Sequence, residues 1–325
     1  MTVARDARLE VRDLTKHFHV GGGLFGRRRQ HIRAVNGVSF DVPPGGCVGL
    51  VGESGCGKST VARSVLRLIE PDEGDVRFGG ADVRSASGAA LRRLRQRMQI
   101  IFQDPYGSLN PRRTVGQTLM EPLLVHGIGS AAERRRKARD AILEVGLQAE
   151  ALERYPHEFS GGQRQRIGIA RALILDPEII IADEPVSALD VSVQAQILRL
   201  LETLRTRRGL AFLFVSHDLG VVRHFCDTVC VMYLGRIVEA GPTRQVLDDP
   251  LHPYTRLLRD SSPIPDPSRR VEMIKSEGEL PSPANPPSGC PFHPRCASAM
   301  RHCAHDLPRL TSRDDHRHVA CHLYG

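Results

Sequence analysis

The chain has 325 residues, 45 of them Lys or Arg against 37 Asp or Glu, for a formal net charge of +8. Apolar residues make up 41% and charged residues 25%, which excludes a disordered, collagen-like or low-complexity chain and leaves room for one large domain with an appendage. The longest apolar runs, Leu210–Val215 and Val229–Leu234, fall far short of the ~18 residues a membrane-spanning helix needs.

The N-terminus carries Arg5, Asp6, Arg8, Glu10 and Arg12 and offers no apolar stretch for a signal peptide, so the chain is expected to stay in the cytoplasm. From there on, the predicted elements alternate. Cys47–Val51 is β-branched and apolar and reads as a buried parallel strand, followed by a helical period over Ser59–Ile69. Residues 105–175 lack strand runs and carry a charged helical pattern over Ala131–Val145, which reads as a helical insertion. Strand and helix then resume: Glu178–Ala182, Val193–Leu204 and Leu210–Ser216. Such alternation predicts an α/β fold with a mostly parallel sheet covered on both faces.

The positive charge gathers in Arg27–Arg29, in Arg92, Arg93, Arg95 and Arg97, and in Arg134–Lys137 with Arg139. No aromatic residues interleave with these arginines for base stacking, so they read as solvated helix faces and no nucleic-acid partner is expected. The composition shifts near residue 260. Residues 261–325 hold 10 of the 22 prolines and four of the eight cysteines, so long regular elements are forbidden there and something besides a large apolar core must order them. The expected organisation is therefore one domain over 1–260, with helices at about 105–175, and an extension over 261–325.

The chemistry starts at Gly52-Glu53-Ser54-Gly55-Cys56-Gly57-Lys58-Ser59-Thr60, which fits G-x-x-x-x-G-K-[ST] and stands between a strand and a helix. Glycines let successive backbone N–H groups curl around phosphate oxygens at a helix N-terminus, Lys58 reaches the outer phosphates, and Ser59 completes a Mg²⁺ shell. A plain glycine-rich turn is the bland alternative, and the flanking strand and helix disfavour it. Downstream, Ile179–Ala182 ends in Asp183-Glu184. One carboxylate there would hold Mg²⁺ through water; the next, Glu184, would act as general base on the attacking water.

Four further motifs give the pattern a family. Ser160-Gly161-Gly162-Gln163 resembles the signature motif of ABC-type ATPases, Ser187-Ala188-Leu189-Asp190 the D-loop, Gln103 the Q-loop and His217 the switch histidine. The resemblance implies a P-loop NTPase of the ABC ATPase fold: a RecA-like core, an antiparallel β subdomain, a helical insertion and a Cys-containing C-terminal extension. It also implies ATP and Mg²⁺ as ligands. Ser160, Gly161, Gly162 and Gln163 would meet ATP held by a partner's P-loop, from a helix beginning near Gln163. Ser187 and Asp190 belong to the D-loop, His217 meets the γ-phosphate, and Gln103 senses metal and water beside Ser59 and Asp183. Phe18 is the expected adenine-stacking aromatic, with His19 as competitor, since the Arg-rich Gly21–Gln30 insertion breaks the spacing.

Finer resemblance points to the oligopeptide/dipeptide importer branch, and to the second of its two ATPase subunits. It rests on Ile101–Arg112, on His252-Pro253-Tyr254-Thr255 and on the tail run Leu280–Cys290. It implies an ATPase that powers uptake of oligopeptides or dipeptides from the cytoplasmic face of the membrane. The implied partners are two permease subunits, a second, non-identical ATPase and an extracytoplasmic peptide-binding protein. Asn110 and Arg112 would line the groove for the permease's coupling helix. Nickel or another small solute is the rival cargo; a soluble ABC ATPase is disfavoured by the single P-loop and the lack of sustained heptads.

The tail cysteines Cys290, Cys296, Cys303 and Cys321 have five, six and seventeen residues between them, unlike the paired spacing of zinc ribbons. A four-thiolate cross-link would supply the order that prolines deny. In some importers of this type the four thiolates are taken to bind a [4Fe–4S] cluster, and the resemblance implies the same here. Zn²⁺ is the alternative, because histidines such as His293, His302 and His322 crowd the site. Cys47, Cys226 and Cys230 read as small core residues.

Overall fold

The computed structural model describes residues 8–20, 30–104, 106–261, 281–314 and 316–325. Most of the Arg-rich insertion and the prolines at 263, 265 and 267 lie outside the described residues. In chain order the strands and helices are β1 (Leu9–Val20), β2 (Gln30–Val42), β3 (Cys47–Val51), α1 (Lys58–Val65), β4 (Glu73–Phe78), β5 (Ala81–Asp82), α2 (Gly88–Arg97), β6 (Met98–Ile101), α3 (Val115–Val125), α4 (Ala131–Glu144), α5 (Gly161–Leu173), β7 (Ile179–Asp183) and α6 (Val191–Arg208). They continue as β8 (Ala211–Ser216), α7 (Leu219–Phe225), β9 (Thr228–Tyr233), β10 (Arg236–Pro242), α8 (Thr243–Asp248), α9 (Pro253–Ser261), β11 (Thr311–Ser312) and β12 (His318–Val319). No helix among the described residues is long and apolar enough to cross a membrane.

These elements fall into two compact units. The first is built mainly from Phe78–Val215, the second from Glu10–Asp41, Cys47–Arg77 and Ser216–Gly325. In the first, β7 pairs in parallel with β6 on one side and β8 on the other, in register from Ile179↔Met98 and Ile179↔Ala211. Both β7 and β8 are buried along their whole length, as the unbroken apolar runs predict for strands covered on two faces. Beside them α3, α4 and α5 pack on Leu119, Leu123, Ile142 and Ile167, all fully buried, and no strand interrupts the described residues between 106 and 175.

In the second unit β3 runs parallel to β9, and β9 then pairs antiparallel with β10. The tail joins this sheet. Its β12 pairs antiparallel with β10 through Glu239↔Val319 and Ala240↔His318, and β11 pairs with β12. A second sheet in this unit has the order β2-β1-β4.

Several boundaries differ from the sequence expectation for local reasons. The helix expected over Ser59–Ile69 ends at Val65, because Arg67 takes a left-handed φ of 53°. The one expected over Val193–Leu204 runs from Val191 to Arg208 and is stopped by Gly209 at φ 65°. The helix at Ala131 starts where a capping box fixes it: Glu133 N–H donates to Ser130 Oγ, and Ser130 N–H donates to Glu133 Oε2.

Side-chain contacts that do not involve the thiols also hold the tail. Arg317 donates at 3.1 Å to Glu239, whose side chain is 0% exposed and also accepts the N–H groups of Leu251 and His252. Phe292 packs edge-on to Tyr233 with ring centroids 5.3 Å apart, and Tyr233 and Tyr254 meet at 4.6 Å. Cys290 N–H donates to Cys303 O at 2.8 Å, closing the loop between them.

Candidate functional site

The second unit holds the phosphate-binding motif where the sequence placed it, between β3 and α1. Gly57 takes φ 107° as the cap of α1, and a Cβ there would stand 2.0 Å from Ala34 O, so only glycine fits. Lys58 is 4% exposed, and its Nζ donates to Gly52 O at 2.8 Å and Glu53 O at 2.9 Å. Folded back on its own loop, the ammonium sits at the mouth of α1, where the helix dipole also favours an anion. Burial pushes the Cys56 thiol up, so it remains a neutral packing group.

Glu53 is held on every side. Its N–H donates to Tyr254 Oη at 2.8 Å, its carbonyl accepts from Lys58, and its carboxylate accepts two hydrogen bonds of 2.8 Å from Arg295. That ion pair lifts Arg295 above the usual arginine range. Sequence reading assigned no role to Arg295 or Tyr254. The signals were present, in the His-Pro-Tyr-Thr run and in an arginine one residue before Cys296, but nothing local says what either touches.

His217 is exposed just past β8, and the next residue, Asp218, caps α7 by accepting from Gly220 N–H and Val221 N–H. Phe18 is half-buried on β1 with the Lys16 ammonium 5.6 Å from its ring centroid; its competitor His19 is exposed and lies against His31 at 4.6 Å.

In the first unit the carboxylate pair ends β7. Asp183 is 0% exposed, whereas Glu184 is half-buried and takes a left-handed φ of 48°, an uncommon conformation for a glutamate and one that clusters at working sites. Gln103 Nε2 donates to Glu184 Oε2 at 3.0 Å, joining the Q-loop residue to the expected base. Ser187 donates to Glu184 O through both its N–H and its Oγ, so the D-loop folds directly onto the same glutamate.

The signature segment lies in this unit too. Its helix starts at Gly161, two residues earlier than expected, with Ser160 as cap: Gln163 N–H donates to Ser160 Oγ and Ser160 N–H to Gln163 Oε1. A Cβ at Gly162 would stand 2.4 Å from Val193 Cγ1, which explains the glycine by the approach of α6. Asp190, at the end of the D-loop, opens α6 by accepting Val193 N–H and Gln194 N–H on its carbonyl.

The tail thiols Cys290, Cys296, Cys303 and Cys321 line one small cavity with Phe292, His293, Met300 and His322. Burial raises Cys290 to about 11 and also raises Cys296 and Cys321. Among the described residues no group of three or more His, Cys, Asp or Glu side chains is placed to hold a metal ion. The four cysteines nonetheless line the same cavity. Cys47, Cys226 and Cys230 are buried in the core, as expected.

A P-loop opening a helix, a strand-end carboxylate pair and a serine-capped diglycine helix together define a nucleotide hydrolase of the P-loop kind. Comparison with known proteins narrows this. Residues 35–187 match the ABC transporter family model, and residues 238–303 match the oligopeptide/dipeptide transporter C-terminal region. The chain is 54% identical over 302 residues to a peptide import ATP-binding protein of Brucella ovis, covering 93% of each. It is 50% identical to the oligopeptide transport ATP-binding protein AppF of Bacillus subtilis, covering 100% of both, and 49% identical to the di/tripeptide transport ATP-binding protein DppF of Pseudomonas aeruginosa, covering 97% of both. Among solved structures, a dimeric ATP-binding cassette bound to ADP and phosphate after hydrolysis matches with a TM-score of 0.64 at 29% identity, covering 73% of this chain and 99% of that one. The Clostridium perfringens cassette cbiO1 matches with a TM-score of 0.63 at 26% identity, covering 75% and 92%. The chain belongs to the ABC transporter family of ATP-binding subunits; it has the ABC ATPase fold, and its activity is ATP hydrolysis coupled to transport.

Proposed function

We propose that the chain is the ATP-hydrolysing subunit of an importer that moves oligopeptides or dipeptides inward, working on the cytoplasmic face of the membrane. What carries this reading is the continuity of the likeness: the C-terminal region as well as the ATPase part matches peptide importers across almost the whole chain. Its partners are then two permease subunits, a second ATPase and a peptide-binding protein. The domain division follows the sequence, with the ATPase over residues 1–260 and the extension from 261.

Each motif takes its role from its chemistry. Gly52–Thr60 wraps the phosphates, with Lys58 turning from its own loop carbonyls to the outer phosphates. By family likeness, Ser59, Asp183 and Gln103 are the residues that would serve Mg²⁺, and Phe18 the one that would stack on adenine. Glu184, oriented by Gln103 and by the D-loop serine, takes the proton of the attacking water. Ser160–Gln163 presents amides to ATP held by the partner ATPase, and His217 reaches the γ-phosphate. A related cassette solved as a dimer with ADP and phosphate supports a shared site. The exposed Tyr106, Asn110 and Arg112 receive the coupling helix.

The four tail thiols are the metal site. Four cysteines lining one cavity supply the thiolates that a [4Fe–4S] cluster takes, with Zn²⁺ as the alternative. Bound there, a cluster supplies a structural cross-link between Cys290, Cys296, Cys303 and Cys321.

Deleting the gene and measuring uptake of labelled di- and oligopeptides tests the cargo. Loss of peptide uptake, restored by the native gene and not by one encoding Glu184→Gln, is the expected result. Intact peptide uptake with loss of nickel uptake would reassign the system.

A further inference from the structure

We propose that Arg295 is a positioning residue for ATP binding: it reaches from the cysteine-bearing tail to the P-loop and, by gripping Glu53, sets where Lys58 and the loop amides stand. The inference rests on the reading of Gly52–Thr60 as the phosphate cradle and does not depend on which metal the tail holds.

Three observations converge on Glu53. The Arg295 fork makes two parallel 2.8 Å bonds to its carboxylate, the geometry that fixes direction as well as distance. Tyr254 Oη accepts its N–H, so the His-Pro-Tyr-Thr run has a purpose beyond opening α9. Its carbonyl is one of the two backbone carbonyls that accept from Lys58 Nζ and also accepts Cys56 N–H. A shift of the Glu53 side chain therefore moves a backbone unit on which the phosphate-binding lysine rests.

The other end of the contact is equally fixed. The Arg295 side chain is 6% exposed, and its guanidinium lies 5.8 Å from the Phe292 ring and 5.9 Å from that of Tyr233. Its backbone belongs to the 3₁₀ turn His293–Arg295, which stands between Cys290 and Cys296. Arg295 N–H donates to Phe292 O, and Cys296 N–H to His293 O. The turn is thus set by the walls of the cysteine-lined cavity. A surface ion pair would contribute little, but this one is largely desolvated on the arginine side and bidentate.

The test uses the full-length chain and a fluorescent ATP analogue, with the assembled transporter for kinetics. Arg295→Gln is expected to weaken nucleotide binding roughly five- to twentyfold. In the transporter, KM for ATP should rise while kcat changes far less. Arg295→Lys, which keeps the charge and loses the fork, should recover part of the affinity. Glu53→Gln should match Arg295→Gln, and the double variant should be no worse than either single one. Native affinity in a folded Arg295→Gln protein, or losses that simply add in the double variant, would overturn the proposal. If Arg295→Gln does not fold, Glu53→Gln decides, because it leaves the aromatic seat of Arg295 untouched; native affinity there overturns the proposal equally. Lys58→Ala separates the two readings. Lost binding with Lys58→Ala but not with Arg295→Gln sinks the positioning role alone, whereas unchanged binding with Lys58→Ala removes the phosphate cradle and this inference with it.

Discussion

In the signature segment Ser160–Leu173 the cap, the helix start and the capping glutamine all lie within four residues, so the element is specified locally. In residues 281–325 the decisive partners are remote: Arg317 meets Glu239, Arg33 N–H donates to Pro283 O, and Arg295 meets a residue 242 positions away. Two regions of one chain thus reach order by different routes. The first uses propensity and capping, with small per-residue terms that add up. The second has almost no propensity of its own and depends on a few buried polar contacts, each expensive to break.

The largest effect should come from chemistry in the locally specified part. Glu184→Gln keeps the shape and removes the base, so ATP turnover should fall by roughly 10²–10⁴ while nucleotide still binds. Near-normal turnover in the assembled transporter would take Glu184 out of this role. Next comes the tail. Arg317→Met leaves the Glu239 carboxylate buried without its cation and should cost about 3–5 kcal/mol. Urea unfolding and limited proteolysis would show it, with cleavage appearing first in the tail; an unchanged unfolding midpoint would mean that the remote contacts matter less than the comparison holds.

Smaller effects sharpen the same contrast. Gly162→Ala forces a methyl against Val193 and should destabilise by about 1–3 kcal/mol. Adding Val193→Ala should restore much of that, and failure to do so would place the strain elsewhere. Ser130→Ala, which removes only a local cap of α4, should cost about 1 kcal/mol.

Acidity gives a further handle on the second unit. Burial lowers His252 from 6.5 to about 3, and its Nδ1 accepts Tyr254 N–H at 3.0 Å, so the folded state keeps the ring neutral. The unfolded chain takes up a proton as pH falls through 6.5 and the folded chain does not. Stability from this site is therefore complete above that pH and declines progressively toward pH 3. Unfolding free energies measured at pH 7.5 and 5 should differ less in His252→Gln than in the native chain; an equal difference would assign the acid sensitivity to other groups.

What could be read from the sequence follows the same line. The parallel strands were legible because Ile179–Ala182 and Leu210–Val215 are uninterrupted apolar runs, and the phosphate loop because its glycines and lysine are contiguous. The family resemblance named Gln103 and Glu184 separately, and the 3.0 Å hydrogen bond between them is legible only in the structure. The early end of α1 was not legible, since nothing in Leu66-Arg67-Leu68 announces a left-handed arginine. Nor were β11 and β12, each two residues long and defined only by the edge of β10. The grip of Arg295 on Glu53 is a pairing across most of the chain, and no periodicity encodes it.

That pairing also has a history in time. The unit holding the phosphate loop draws on Glu10–Asp41 and Cys47–Arg77 but is completed by Ser216–Gly325. At ~5–20 residues per second, roughly 10–50 seconds separate synthesis of Glu53 from synthesis of Arg295. During that interval the emerging chain already carries the cradle's glycines and lysine, yet lacks the tyrosine and the arginine that hold Glu53. If the grip positions the cradle, nucleotide affinity in the emerging chain stays below its full value until Arg295 has been made and folded onto Glu53.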